Sequence, residues 1–82
     1  MIIASQLRAA RSLLGWSQDD LAQRSGVSKP TIARLELVAG PIGGHETTRQ
    51  KLIATIEAGG VIFLATGDVL GGGPGVRLKS ST

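Results

Sequence analysis

Residues 17–36 read SQDDLAQRSGVSKPTIARLE, and the rest of the chain is most easily read as support for them. Ser17 can accept a hydrogen bond from the free amides of a helical first turn, and Asp19 and Asp20 follow where the helix dipole favours negative charge. Leu21 and Ala22 begin an apolar face, so a short helix is expected after Ser17. It should end at Gly26, the residue type that accepts left-handed backbone at least cost. Val27 can then tuck under the turn. Ser28 repeats the capping chemistry, and Lys29 and Pro30 fall in a first turn whose amides have no intrahelical partner, so the proline is tolerated. From Thr31 to Glu36 the spacing turns Ile32 and Leu35 inward, lets Ala33 approach a neighbour closely, and leaves Lys29, Thr31 and Arg34 facing outward.

Two short helices around a glycine-containing turn, the second presenting polar and basic groups, match the helix-turn-helix that lays its second helix in the DNA major groove. The run Gln18, Leu21-Ala22, Gly26-Val27, Ser28, Thr31-Ile32 and Leu35-Glu36, preceded by Leu7-Arg8-Ala9-Ala10-Arg11 and Gly15-Trp16, resembles the Cro/lambda-repressor (XRE-type) DNA-binding family over residues 4–58. The expected fold is mainly α, a lambda-repressor-like helical domain of four helices with a C-terminal β-strand or small hairpin. Residues 1–58 would form the DNA-binding part, and 59–82 a β segment and tail that belong to the same compact unit and serve dimerisation.

Length and composition fit this. Eighty-two residues make one domain. A core of this size supplies about 3–5 kcal/mol, so association with a second copy is expected. Without cysteine there is neither a disulfide nor a thiolate zinc site, which suits a reducing compartment. The opening MIIASQLRAAR lacks the apolar stretch of a signal peptide, and no run approaches the roughly 18 apolar residues of a membrane span, so a soluble cytoplasmic chain is expected. Lys and Arg outnumber Asp and Glu nine to six, for a net charge of +3 and a pI near 10.2, which favours a polyanionic partner.

Upstream of the central stretch, Ala4 or Ser5 opens a helix with Leu7, Ala10, Leu13 and Leu14 on its apolar side, stopped by Gly15. Arg8 and Arg11 share one side of it. The family resemblance implies that Arg11 pairs with Glu36 at the end of the recognition helix while facing the DNA backbone. Trp16 is the sole Trp and Phe63 the sole other aromatic, so Trp16 is expected as a buried corner anchor, and base stacking on single strands is disfavoured.

Downstream, LVAGPIGGHE cannot continue a helix and reads as a loop of about ten residues. His45 stands in it without a second ligand nearby, so it is expected at the surface and no metal site is expected. Thr47 or Thr48 can cap a fourth helix with Leu52, Ile53 and Ile56 as its stripe, ended by Gly59-Gly60. VIFLATG and GVRLKS then read as two strands around GDVLGGGPG, with Val76 and Leu78 alternating with Arg77 and Lys79. An isolated hairpin is marginal in water, so VIFLA must bury itself on the helices or pair with a twin. The run 71–75 resembles a phosphate loop only in glycine content and is expected as a flexible turn, and the tail 80–82 as frayed.

Phosphate contacts place a DNA-binding protein and base contacts choose the sequence. Ser17, Gln18, Ser28, Arg11 and Arg8 are the candidates for phosphate; Lys29, Pro30, Thr31 and Arg34 are the candidates for reading bases. Many family members carry glutamine where Pro30 stands, and proline cannot make its two hydrogen bonds to adenine, so the base preference of relatives does not transfer. One recognition helix reads too few base pairs to select a genomic site, so a homodimer on an inverted repeat is expected, joined through Val61, Ile62, Phe63 and Leu64 with the fourth helix. A repressor that blocks polymerase is the simplest regulator of this size.

Catalysis is disfavoured by one His, no Cys, no paired carboxylates beyond Asp19-Asp20 and no glycine motif in a βαβ context. Neither a cofactor, a membrane partner nor a small-molecule ligand is inferred. The competing reading keeps the fold and makes it a protein-interaction module, an antitoxin or antiactivator that sequesters a protein partner.

Overall fold

Ser17 and Ser28 both cap helices. Ser17 Oγ accepts from the Asp20 amide at 3.0 Å and the Asp20 carboxylate returns to the Ser17 amide at 2.9 Å, closing a capping box. Ser28 Oγ accepts from the Thr31 amide at 3.4 Å, with Pro30 in the first turn. Gly15 and Gly26 end the helices before them at φ of +69° and +77°, which side chains with a Cβ resist.

The computed structural model describes residues 2–68 and 70–80. Its elements are α1 (Ala4–Leu14), α2 (Gln18–Ser25), α3 (Lys29–Leu37), α4 (Glu46–Ala58), β1 (Val61–Leu64) and β2 (Gly75–Leu78). The strands pair antiparallel with Phe63 opposite Val76 and Leu64 opposite Gly75. This is a lambda-repressor-like arrangement: four helices and a small C-terminal hairpin. Among the described residues no helix is long and apolar enough to cross a membrane.

Leu7, Leu21, Ile32, Leu52 and Ile56 meet in the core with Val61 from the hairpin, so every element but β2 contributes a fully buried side chain. Burying one such side chain stabilises by roughly 1.5–3 kcal/mol. Phe63 and Val76 pack against this core from one face of the hairpin, and strand alternation places Ile62 and Leu64 on the other.

Several boundaries differ from the sequence reading. Leu13 is 43% exposed because Leu7, Ala10 and Leu14 already fill the inward side of α1. The loop after α3 is tied down: Ile42 is buried, its amide donates to the Ile2 carbonyl, and the Ala4 amide donates to the Gly40 carbonyl. This pairing of the N-terminus with the loop needs both segments at once, so no local rule reveals it. Helix α4 starts two to three residues earlier than a cap at Thr47 or Thr48 would allow; His45 takes the cap position without a side-chain bond and Arg49 donates to the Gly44 carbonyl. Within the turn between the strands the Ala65 amide donates to the Asp68 carboxylate at 2.6 Å and the Gly67 amide to the Gly72 carbonyl at 3.0 Å. The frayed tail expected at Ser81 and Thr82 lies outside the described residues.

Gln6, unremarked in the sequence, joins hairpin to helices. It is 4% exposed; its Oε1 accepts from the Ile3 amide at 2.9 Å, and its Nε2 donates to the Leu64 and Gly75 carbonyls, each at 2.9 Å. At the other end Lys79 donates through its amide to Gly60 and through its ammonium to the Glu57 carbonyl at the α4 C-terminus, where a cation is favoured. Gln6→Leu leaves buried polar groups unpaired at about 1–3 kcal/mol. The expected result is a lower melting temperature and faster hydrogen exchange at the hairpin amides than in the helices.

Candidate nucleic-acid interface

Glu36 is the last turn of α3 and is only 3% exposed, an expensive position for a carboxylate unless it is fully paired. Arg11 meets it with both edges of its fork, Nε to Oε2 at 2.7 Å and Nη2 to Oε1 at 2.8 Å. Gln18 Nε2, from the first turn of α2, donates to Oε1 at 3.0 Å. Arg11 Nη1 also donates to the Trp16 carbonyl at 3.0 Å, and Arg8 Nη1 donates to the Glu36 carbonyl. One carboxylate thus gathers α1, α2 and α3, and the pairing that the family resemblance implied for Arg11 and Glu36 is present as a bidentate clasp.

Burial pushes the Glu36 carboxyl up, but the hydrogen bonds from Arg11 and Gln18 and the charges of Arg11 and Arg8 outweigh it and hold the pKa below the ordinary glutamate value. The hydrogen bond to Glu36 likewise raises Arg11, against the opposing effect of burial. A carboxyl whose folded pKa is depressed contributes stability above its unfolded pKa and loses it as pH falls through the folded value. Acid unfolding of the protein is therefore expected to steepen below about pH 4.5, the unperturbed glutamate value. Comparing urea unfolding of Glu36→Gln across that range should show a shallower acid dependence than in the parent.

The outer side of α3 is open. Ile32, Leu35 and Glu36 are buried beneath it while Lys29, Pro30 and Arg34 are exposed and Thr31 is half-buried. Arg34 makes no ion pair or hydrogen bond to the described residues. Lys29 reaches Asp19 of α2 at 3.3 Å, with the two side chains 53% and 66% exposed. An exposed pair of this kind is worth about 0–1 kcal/mol. Thr31 Oγ1 accepts from Ser28 Oγ at 2.9 Å, so these two hydroxyls support each other at the start of the helix.

The expected phosphate residues sit around this face in different states. Ser17 has its amide and a hydroxyl lone pair engaged by Asp20, whose carboxyl is held below its usual range first by the hydrogen bond from the Ser17 backbone. Gln18 has one of its two N–H groups on Glu36, which fixes the carboxamide and leaves the other N–H unassigned to that carboxylate. Arg8 is exposed, and Arg11 is 19% exposed at the side-chain level. Three features of this surface were not foreseen: the tie between Gln18 and Glu36, the Arg8 bond to the Glu36 carbonyl, and the Asp19–Lys29 pair. None has a spacing rule behind it, because each joins residues of different helices.

At the hairpin, Val61 is enclosed in the chain's own core, whereas Ile62, Phe63 and Leu64 are half-buried. Trp16 is half-buried rather than fully enclosed: its ring packs on the core and carries the Arg24 guanidinium 4.4 Å from its centroid.

A helix pair with a capped, open second helix, locked from behind by a buried carboxylate, is a helix-turn-helix. Residues 7–37 match the family model described as Helix-turn-helix, a span that runs from within α1 through the end of α3. No curated protein shows significant sequence similarity to the chain.

Proposed function

We propose that the protein is a sequence-specific transcriptional repressor that binds an inverted-repeat operator as a homodimer. The observation that carries this reading is the outer face of α3, where Arg34 stands exposed and unpaired among the described residues beside exposed Lys29 and Pro30, over buried Ile32 and Leu35. Arg34 reads a guanine through its fork, and Lys29, Thr31 and Pro30 contact neighbouring base edges. Arg8, Arg11, Ser17, Gln18 and Ser28 seat the backbone, with Gln18 aimed by its bond to Glu36. Ile62 and Leu64, on the hairpin face turned away from the core-packed Phe63 and Val76, give the second copy an apolar strand to cover, with Phe63 at its edge; Val61 supports the strand from within.

The reading is tested by titrating duplex DNA at rising salt. Several phosphate contacts give a fall in log affinity with slope near −0.9 per contact, so affinity should drop by at least about a hundredfold between 50 and 200 mM salt. A protein that acts only by sequestering another protein would show no duplex affinity to lose. Gln18→Ala should weaken specific and random duplexes by the same factor, because a phosphate contact carries no sequence information.

A further inference from the structure

A groove of about 520 Å³ lies between the Trp16 corner and the C-terminal half of α4, lined by Trp16, Arg24, Ala54, Thr55, Ala58 and Gly59. None of these residues belongs to α3 or to the first turn of α2, so the groove is separate from the DNA-facing groups. We infer that it binds a planar aromatic monoanion, a small carboxylate whose ring carries an N–H or phenolic O–H.

The shape follows from Gly59. A Cβ there would lie 2.7 Å from Trp16 Cη2 and 3.1 Å from Leu14 Cδ1, so only glycine lets the indole edge rest on the end of α4. Gly59 has an ordinary helical φ of −74°, and its requirement is therefore space rather than backbone freedom. With Ala54 and Ala58 beside it, the floor is low and flat, which suits a ring better than a branched chain.

The charge follows from Arg24. It is the one charged residue among those lining the groove, it is exposed, and it makes no ion pair among the described residues. Stacking over the Trp16 ring holds the guanidinium in place while its edge N–H groups remain able to donate in pairs to a carboxylate. The hydrogen-bond pattern follows from Thr55, whose hydroxyl donates to the Lys51 carbonyl at 2.7 Å and so offers a ligand an acceptor only. An apolar floor with one cation and one acceptor selects a ring with one anion and one donor.

Indole-3-acetate and its neutral counterpart indole-3-ethanol serve as probes, titrated into the ¹⁵N-labelled full chain and followed by amide shifts. Indole-3-acetate should saturate shifts at the Trp16 indole N–H and at Thr55, Ala58 and Gly59, binding at least tenfold more tightly than indole-3-ethanol. Arg24→Gln should remove that tenfold preference and leave indole-3-ethanol unchanged, and Arg24→Lys should restore part of it. Equal affinity for the two probes, a preference that survives Arg24→Gln, or no saturable shift at these positions would overturn the assignment.

Discussion

Arg11→Ala is expected to leave the protein largely unfolded at physiological temperature. The substitution strands the Glu36 carboxylate, 3% exposed, with Gln18 as its remaining hydrogen-bond donor. Removing one member of a buried ion pair costs about 3–5 kcal/mol because the other charge stays behind without compensation. A domain of 82 residues has about that much to lose in total. Thermal unfolding followed by circular dichroism checks this directly. The double variant Arg11→Met with Glu36→Met should recover a large part of the loss, because two apolar side chains of similar length fill the site without an unpaired charge. Equal instability of the single and double variants would mean that the clasp matters for packing and for the Trp16 carbonyl rather than for its charges. The double variant would also free Gln18 from Glu36, so it should fold yet bind DNA less well.

Arg34→Ala carries the largest expected effect on recognition. The side chain is exposed on α3 and unpaired among the described residues, so its removal costs the free protein little. On DNA an arginine fork on guanine is worth about 1–3 kcal/mol of discrimination, or roughly five- to 150-fold. Competition binding with operators mutated one base pair at a time should show preference flattened at one position of each half-site and unchanged elsewhere. A variant that keeps the parent's ranking of all operator mutants would remove Arg34 from the base-reading set. Lys29 is expected to matter less, since its exchange from Asp19 to DNA replaces one exposed contact by another.

The helix-turn-helix was legible because each of its signals is local. Ser17 and Ser28 cap, Gly15 and Gly26 stop, and Ile32 and Leu35 mark the inward side of α3, all within a few residues of the features they control. The family resemblance added a long-range contact between Arg11 and Glu36, which no periodicity supplies. The remaining long-range features stayed hidden for a common reason. Gln6 reads as an ordinary polar residue on a helix until two strands some 60 residues away place their carbonyls against it. Gly59 reads as a helix stop, although its true constraint is the Trp16 ring. Ile42 reads as part of a glycine-rich loop, although the pairing of that loop with Ile2 and Ala4 buries it. Leu13 erred the other way, since apolar spacing marks a stripe wider than the neighbours of α1 can cover.

The candidate interface divides along the same line. Which residues face outward on α3 followed from spacing alone, and Lys29, Pro30 and Arg34 are exposed there. What holds that face in position did not follow, because the clasp draws on three helices at once. Rigidity behind an open surface is what a recognition helix needs, since side chains that are already oriented lose less freedom on binding.

The measurement that bears most directly on the central claim is selection of bound duplexes from a random pool by the full chain. If the outer face of α3 reads DNA in a two-fold assembly, the selected sequences converge on an inverted repeat whose half-sites lie about 10–10.5 base pairs apart from centre to centre. A pool that emerges unenriched, from a protein shown to be folded in the same buffer, would contradict it.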